Sequence, residues 1–451
     1  MQRMQMTGLI CRGVAVLLSG ATFAATCMAG SNRDAELVPA IRASDYDKVQ
    51  TLLKSHAADP DTLLADGSTP LSWAVEVQDA RMVKLLLAAK ARPDVATNAA
   101  VTPLMLACEH GNGEILQLLL DAGADAKRAR TDGVSALALC AGTTTATVLA
   151  RLIEGGASVD GAGAGGQTPL MWAAARGRLD NLQLLLAKGA NVNRVTANGF
   201  TPLFFALKSG KPELPVAVLE AGGNPDHVGP EGTTAVQLAI FQKDYAFAAR
   251  LIERGVDVKA FDRNGQTLLQ AAVIENQPAL VRLLLAKGAD PNAWSGASKV
   301  QWRYEPNFKS GDYYAPSKPP LLVAAEKGAA DVIQLLVDAG ADPAVRMPDG
   351  TTVLHAAVSS DRLAAVSAAL KVMPDPNVLD KEGQTPLHRL LLTRHYPGAQ
   401  TAEILRLLAS THARSDIKDA KGRVAEDLLD GEPAELKAAY FAVFGVRSAA
   451  R

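Results

Sequence analysis

The sequence predicts an all-α repeat solenoid, and three observations carry that prediction. A hydroxyl-bearing residue recurs at Thr69, Thr102, Ser135, Thr168, Thr201, Thr234 and Thr267, every step being 33 residues. Each opens a short apolar string such as TPLSWAVEV, TPLMLACEH, TPLMWAAAR or TPLFFALKS, and a second leucine-rich string such as LVRLLLAKGAD follows. Composition is that of a folded globular chain, with 48 % hydrophobic and 21 % charged residues. A unit repeated in register over most of a chain marks a stacked array rather than separate domains.

The first segment, residues 1–29, reads as a secretory signal peptide. Arg3 and Arg12 precede an uncharged run from Gly13, and small residues lead to Ala29, after which cleavage is expected. Its apolar core is shorter than the ~20 residues of a spanning helix, so no membrane span is expected after its removal. Lipid attachment at Cys27 is the weaker alternative, because Ala24-Ala25-Thr26 is a poor approach to a lipidated cysteine. With 46 basic and 47 acidic residues the chain lacks the positive field that nucleic acids demand, so DNA and RNA are excluded as partners.

Residues 30–65 form an N-terminal capping repeat. Val38, Ile41, Val49, Leu52 and Leu53 stand at the repeat's apolar offsets, but the T-P-L string is missing. Residues 66–293 keep the 33-residue register. In each unit an Asp-Gly or Asn-Gly turn (Asp66-Gly67, Asp132-Gly133, Asn198-Gly199, Asn264-Gly265) reverses the chain. The hydroxyl residue then caps a helix whose first turn tolerates Pro. A second helix carries an inner leucine side, as Leu182, Leu184, Leu185 and Leu186 do, and GAD or GAN ends it. One helix pair leaves half its apolar face wet, and burying a leucine is worth only about 1.5–3 kcal/mol, so the units must stack.

Some units depart from the pattern. The Ser135 unit is poor in leucine and rich in β-branched residues and is expected to be the softest, while Pro212 and Pro215 are expected to distort the entry to a second helix. After Thr267 the next equivalent position is Pro319, 52 residues on, and Thr352 and Thr385 then resume the 33-residue step. Residues 294–318 are therefore a loop insert. Residues 319–419 return to register, apart from a short excess placed at His395 to Gln400. Residues 420–451 form a degenerate C-terminal capping repeat through Leu436, Tyr440 and Phe444. The count is about twelve helix-pair units.

A 33-residue unit of turn, T-P-L helix, LLL helix and GAD loop resembles the ankyrin repeat, and the resemblance covers nearly the whole chain after residue 30. It implies an L-shaped stack of helix pairs with hairpin loops projecting to one side and a concave surface that holds partner proteins. It also implies that binding residues lie at hairpin tips and at the last turn of first helices: Arg176, Phe200, Lys208, Phe241, Gln242, Glu275, Glu326 and Lys327. His355 and His388 fall where such repeats carry a structural histidine. The chain is similar to exported ankyrin proteins of Gram-negative bacteria, which implies a periplasmic or secreted location.

Catalytic and cofactor chemistry finds little support. Gly161, Gly163 and Gly166 satisfy GxGxxG, but they follow a helix at a repeat boundary, where a hairpin tip explains them. No nucleophile elbow, zinc-protease motif or paired-carboxylate site occurs, so the expectation is no enzyme, no cofactor and no metal. Cys108 and Cys140 sit in first helices of adjacent units, and at one repeat step apart they are expected to be buried free thiols. Trp73 and Trp172, two places after the T-P-L leucine, are expected in the core.

The insert is the remaining anomaly. Trp294, Trp302, Tyr304, Phe308, Tyr313 and Tyr314, six of the chain's 21 aromatics, fall within it beside Arg303. Either it packs as a local satellite core or it projects as a contact arm, since long loops are commonly functional and Trp, Tyr and Arg dominate binding hot spots. The expected function is a monomeric, non-enzymatic scaffold that binds a partner protein. The alternatives are a small-molecule or glycan binder using the insert as a stacking platform, and a secreted effector acting on another cell.

Overall fold

The computed structural model describes residues 34–296, 317–392 and 400–445. Residues 1–33, which include the segment read as a signal peptide, most of the insert and the excess near His395 lie outside the described residues. Two compact units divide the chain after Arg92. The first contains α1 (Asp34–Arg42), α2 (Tyr46–Lys54), α3 (Pro70–Glu76) and α4 (Ala80–Ala88).

The second unit opens with α5 (Pro103–His110), α6 (Gly113–Asp121), α7 (Ala136–Thr143), α8 (Ala146–Glu154), α9 (Pro169–Ala175) and α10 (Leu179–Ala187). It continues with α11 (Pro202–Lys208), α12 (Glu213–Glu220), α13 (Ala235–Phe241), α14 (Tyr245–Glu253), α15 (Leu268–Ile274) and α16 (Pro278–Ala286). Beyond the insert come α17 (Pro320–Lys327), α18 (Ala330–Asp338), α19 (Val353–Val358), α20 (Leu363–Val372), α21 (Pro386–Leu392) and α22 (Thr401–Ser410). A 3-10 turn at Ala425–Leu429 and α23 (Ala434–Phe444) close it. The described residues hold no strand, only three isolated bridges at hairpin stems, among them Val228 with Thr234 and Phe261 with Thr267. The fold is a helical repeat solenoid, as the sequence predicts.

Capping explains why most first helices start at the same register position, although Thr201 before α11 and Pro319 before α17 make no such bond. Thr69, Thr102, Ser135, Thr168, Thr234, Thr267 and Thr352 each accept the backbone N–H three residues on, and Thr385 does the same for His388. In the first unit α1 packs on α3, and within the second unit odd-numbered helices pack on odd-numbered ones and even on even, giving two layers whose inner sides bury Leu, Val, Ile and Ala. Pro212 shifts matters by one residue only. It becomes the N-cap of α12, which starts at Glu213, while Pro215 lies in the first turn, where a missing donor is harmless.

Adjacent units are tied by repeating side-chain bonds. The carboxamides of Asn193, Asn292 and Asn377 accept the backbone N–H of Asn224, Asp342 and Arg414 and donate to Gly222, Gly340 and His412 carbonyls. His355 and His388 are buried, each bonded to its cap threonine and, through Nε2, to the carbonyl of Gln384 or Arg423 in the next unit. Hairpins approach closely enough that Gly350, at φ 85°, could carry no Cβ, which would stand 2.6 Å from the Lys381 nitrogen.

The stack is not broken by the insert. α15 packs on α17 and α16 on α18, and Asn292 bonds Asp342 across it. The insert's two ends are held together: Lys318 N donates to Ser295 Oγ at 2.9 Å, and Gln270 Nε2 donates to the carbonyls of both Ala293 and Lys318.

The expectation of free thiols is corrected. Cys108 and Cys140 are joined in a disulfide, with Cα atoms 4.5 Å apart and both side chains fully buried. A repeat step measures the separation of helix axes, roughly 8–10 Å. Facing Cα atoms each stand about 2.3 Å off their axes, so helices meeting through small residues bring them to about 4–5 Å, within bridging range.

Candidate functional site

In the second unit, the side of the odd-numbered helices turned away from the even-numbered layer is open to solvent. Its composition is set by two register positions. The residue four places after the cap is Leu106, Leu139, Trp172, Phe205 and Leu238 in successive units, and all but Leu139 remain part-exposed. Trp172 is therefore not a core residue, and neither is Trp73 in the first unit, which is part-exposed, donates to Ser68 Oγ and lies under the Arg42 guanidinium at 5.1 Å. Two places after the leucine is one helical step off the buried stripe, so a large ring there emerges at the edge.

The second position is the end of each first helix. Arg176, Lys208, Phe241, Gln242, Glu326 and Lys327 are exposed there, and Glu275 is partly so. Arg176 crosses the preceding unit at Gly142, where a Cβ would meet its Cγ at 2.8 Å. Glu275 accepts the Tyr245 hydroxyl at 3.1 Å and pairs with Lys243 at 3.6 Å. Burial, and then the Glu275 carboxylate, push the Tyr245 phenol above its ordinary pKa. Glu326 is paired with Lys318 at the insert's exit.

An aromatic cluster anchors the hairpin side. The Phe200 ring stands edge-on to Phe204 at 6.0 Å and to Phe205 at 6.2 Å, and Phe204 meets His227 edge-on at 6.0 Å. Gly229 leaves the room Phe204 needs, since a Cβ there would stand 2.9 Å from the ring. At the other edge, Leu207, Lys211, Pro212, Pro215, Gln242 and Lys243 line a cleft of about 280 Å³ between adjacent units.

The hairpins carry a further column. Val195, Val228, Phe261 and Trp294 recur at the 33-residue step and are 43, 60, 45 and 38 % exposed, four large apolar side chains in consecutive units. Of the insert's predicted contact residues only Trp294 is described. Trp302, Arg303, Tyr304, Phe308, Tyr313 and Tyr314 lie outside the described residues. Sequence reasoning passed over Phe205, Leu238, Val195, Val228 and Phe261, and placed Trp172 in the core. Reading each register column down the repeats, rather than each repeat along its length, is the signal that finds them. Among the described residues no group of three His, Cys, Asp or Glu is placed to hold a metal ion, and no helix is long and apolar enough to cross a membrane.

Comparison with known proteins agrees with this architecture. A family model described as ankyrin repeats in three copies matches residues 37–130, 203–294 and 321–420, and a second ankyrin model matches 170–214. The human SH3 and multiple ankyrin repeat domains protein 1 is 31 % identical over 119 residues, 26 % of this chain and 5 % of that protein, and its mouse counterpart matches equally. The zinc finger CCCH domain-containing protein 56 of Arabidopsis thaliana is 33 % identical over 99 residues, 20 % of this chain and 14 % of that protein. The chain thus spans only a small fraction of the length of these relatives.

Proposed function

This chain belongs to the ankyrin repeat family, whose repeats are generally protein–protein interaction modules, and on that premise we propose that it is an exported, non-enzymatic scaffold holding a partner protein. The observation that carries the proposal is the row of part-exposed apolar side chains Trp172, Phe205, Leu238 and Phe241 on the open face of consecutive units. Apolar side chains that reach the surface in consecutive units form a patch, and such patches mark interaction sites. Gly296, at the start of the insert, stands against the Phe261 ring, and residues 294–318 are the second region we propose for contact with the partner. The buried disulfide favours an oxidising compartment, which agrees with the signal-peptide reading of residues 1–29 and with a periplasmic or secreted product.

The test is affinity capture from an extracytoplasmic extract. The full-length product is compared with Phe205→Ala/Phe241→Ala and with a version whose 294–318 loop is cut to the regular length. A partner lost by the double variant at unchanged melting temperature supports the open face. Equal capture by all three forms sinks it, and loss only on shortening moves recognition to the insert. Fractionation checks export: a product beginning near residue 30 outside the cytoplasm is expected.

A further inference from the structure

Three consecutive units gather basic side chains where the open face meets the turn into the second helix. Arg176 follows α9, Lys208 ends α11, Lys211 precedes α12 and Lys243 precedes α14, and all four are exposed. The stems of Arg176 and Lys211 lie over Gly142 and Gly177 of the preceding unit, with Lys211 Cγ 3.2 Å from where a Cβ of Gly177 would stand. Stems packed in this way present their charged ends at the surface.

The neighbouring carboxylates are engaged in capping, in helix first turns and, for Glu275, in a long pair with Lys243. Asp244 caps α14 by accepting the Phe247 N–H at 3.0 Å, and Glu275 is shared between Tyr245 and Lys243. Asp180 and Glu213 sit in the first turns of α10 and α12, where the helix N-terminus offsets their charge. The cleft of about 280 Å³ opens between Lys211 and Lys243, with Leu207, Pro212 and Pro215 as apolar wall and Asp244, its carboxylate engaged in capping α14, also in the lining. That volume falls at or below the low end of small-molecule sites, roughly 300–1,000 Å³, and suits one side chain of a longer ligand.

Building on the protein-binding reading above, we infer that the partner presents an acidic segment to this face. One of its carboxylates sits in the cleft between Lys211 and Lys243, and an apolar side chain beside it lies on Phe241 and Phe205. Electrostatic complementarity selects such a segment, while a basic one would set like charges against Lys211 and Lys243 at the cleft. The apolar contact supplies the affinity that exposed charges alone do not.

The experiment selects random dodecapeptides from a display library on the full-length product and measures the affinity of the selected peptides by fluorescence anisotropy. Peptides enriched in Asp and Glu next to Leu, Ile or Phe are expected. Their affinity should fall about tenfold or more in Lys211→Glu, fall as salt is raised, and recover in Lys211→Arg. A selected pool that is neutral or basic, or acidic peptides that bind Lys211→Glu as tightly as the parent, overturns the inference. Peptides of another composition that are lost in Phe241→Ala would leave the face a binding surface while refuting the acidic class. If no selected peptide is weakened by either variant, both readings fall. Melting curves of each variant exclude misfolding as the cause.

Discussion

Between α5 and α9 the first helices meet through Ala, Gly and Cys, whereas between α9 and α13 their open edge carries Trp172, Phe205, Leu238 and Phe241. The first region is closed. Every residue of α7 from Ala136 to Gly142 is buried, Cys140 is bonded to Cys108, and Thr143 and Thr144 turn their hydroxyls onto the carbonyls of Cys108 and Cys140. Asn181 donates to the carbonyls of Ala141 and Thr144, both at 2.9 Å, and Arg178 to that of Thr143. The second region is open, and it also holds three buried polar atoms without a hydrogen-bond partner: Trp172 Nε1, Thr201 Oγ1 and Gln237 Nε2. One backbone unit thus serves two ends. Small side chains let neighbouring helices close and use up their surface on each other, while large ones stand clear and keep surface for something else.

The largest expected effect would break that comparison at its closed end. Cys108→Ala/Cys140→Ala, or reduction, removes a link across a sequence separation of 32 and should lower stability by about 3–4 kcal/mol on the chain-entropy account. Urea denaturation with and without reductant measures it. An unchanged midpoint would mean that small-residue packing alone closes the seam. Asn181→Ala comes next. It strips two buried carbonyls of their donor and should cost about 1–3 kcal/mol by the same assay.

At the open end the order of effects reverses. Phe241 is 41 % exposed, so Phe241→Ala should change stability by less than about 1 kcal/mol while weakening partner binding by more than about 1 kcal/mol. A large loss of stability would show that the ring belongs to the core after all. The smallest effect concerns His355, whose burial holds its pKa below the ordinary histidine value. The unfolded chain then takes up the proton at higher pH than the folded one. The contribution is therefore complete above about pH 6.5 and erodes as pH falls from there toward the folded pKa. His355→Gln should flatten that slope, because Gln270 makes the equivalent bonds to the next unit without titrating. Melting temperature against pH for both forms checks it.

Most of the fold was legible in the sequence because its signals are local. The cap hydroxyl, the following Pro and the turn Gly act within a few residues of where they stand, so Thr168 announces α9 and Gly199 its hairpin. The candidate site was legible only in part. Arg176, Phe200, Lys208, Phe241 and Gln242 could be placed by register at the end of first helices or at hairpin tips. Trp172 could not, since two places from a buried leucine is equally compatible with core and edge until the neighbouring helix is in position. The column Val195, Val228, Phe261 and Trp294 has meaning only when the repeats are laid side by side.

By itself, then, the sequence determined the repeating helix pair, its register, its caps and the family to which the chain belongs, since these depend on contacts within about one turn of chain. The tertiary structure alone decided that Cys108 and Cys140 pair, that the insert leaves the stack continuous from α16 to α18, and which apolar column stays at the surface. Those outcomes turn on the few ångströms between helix axes and facing backbones, and that distance is set by the side chains of two units at once.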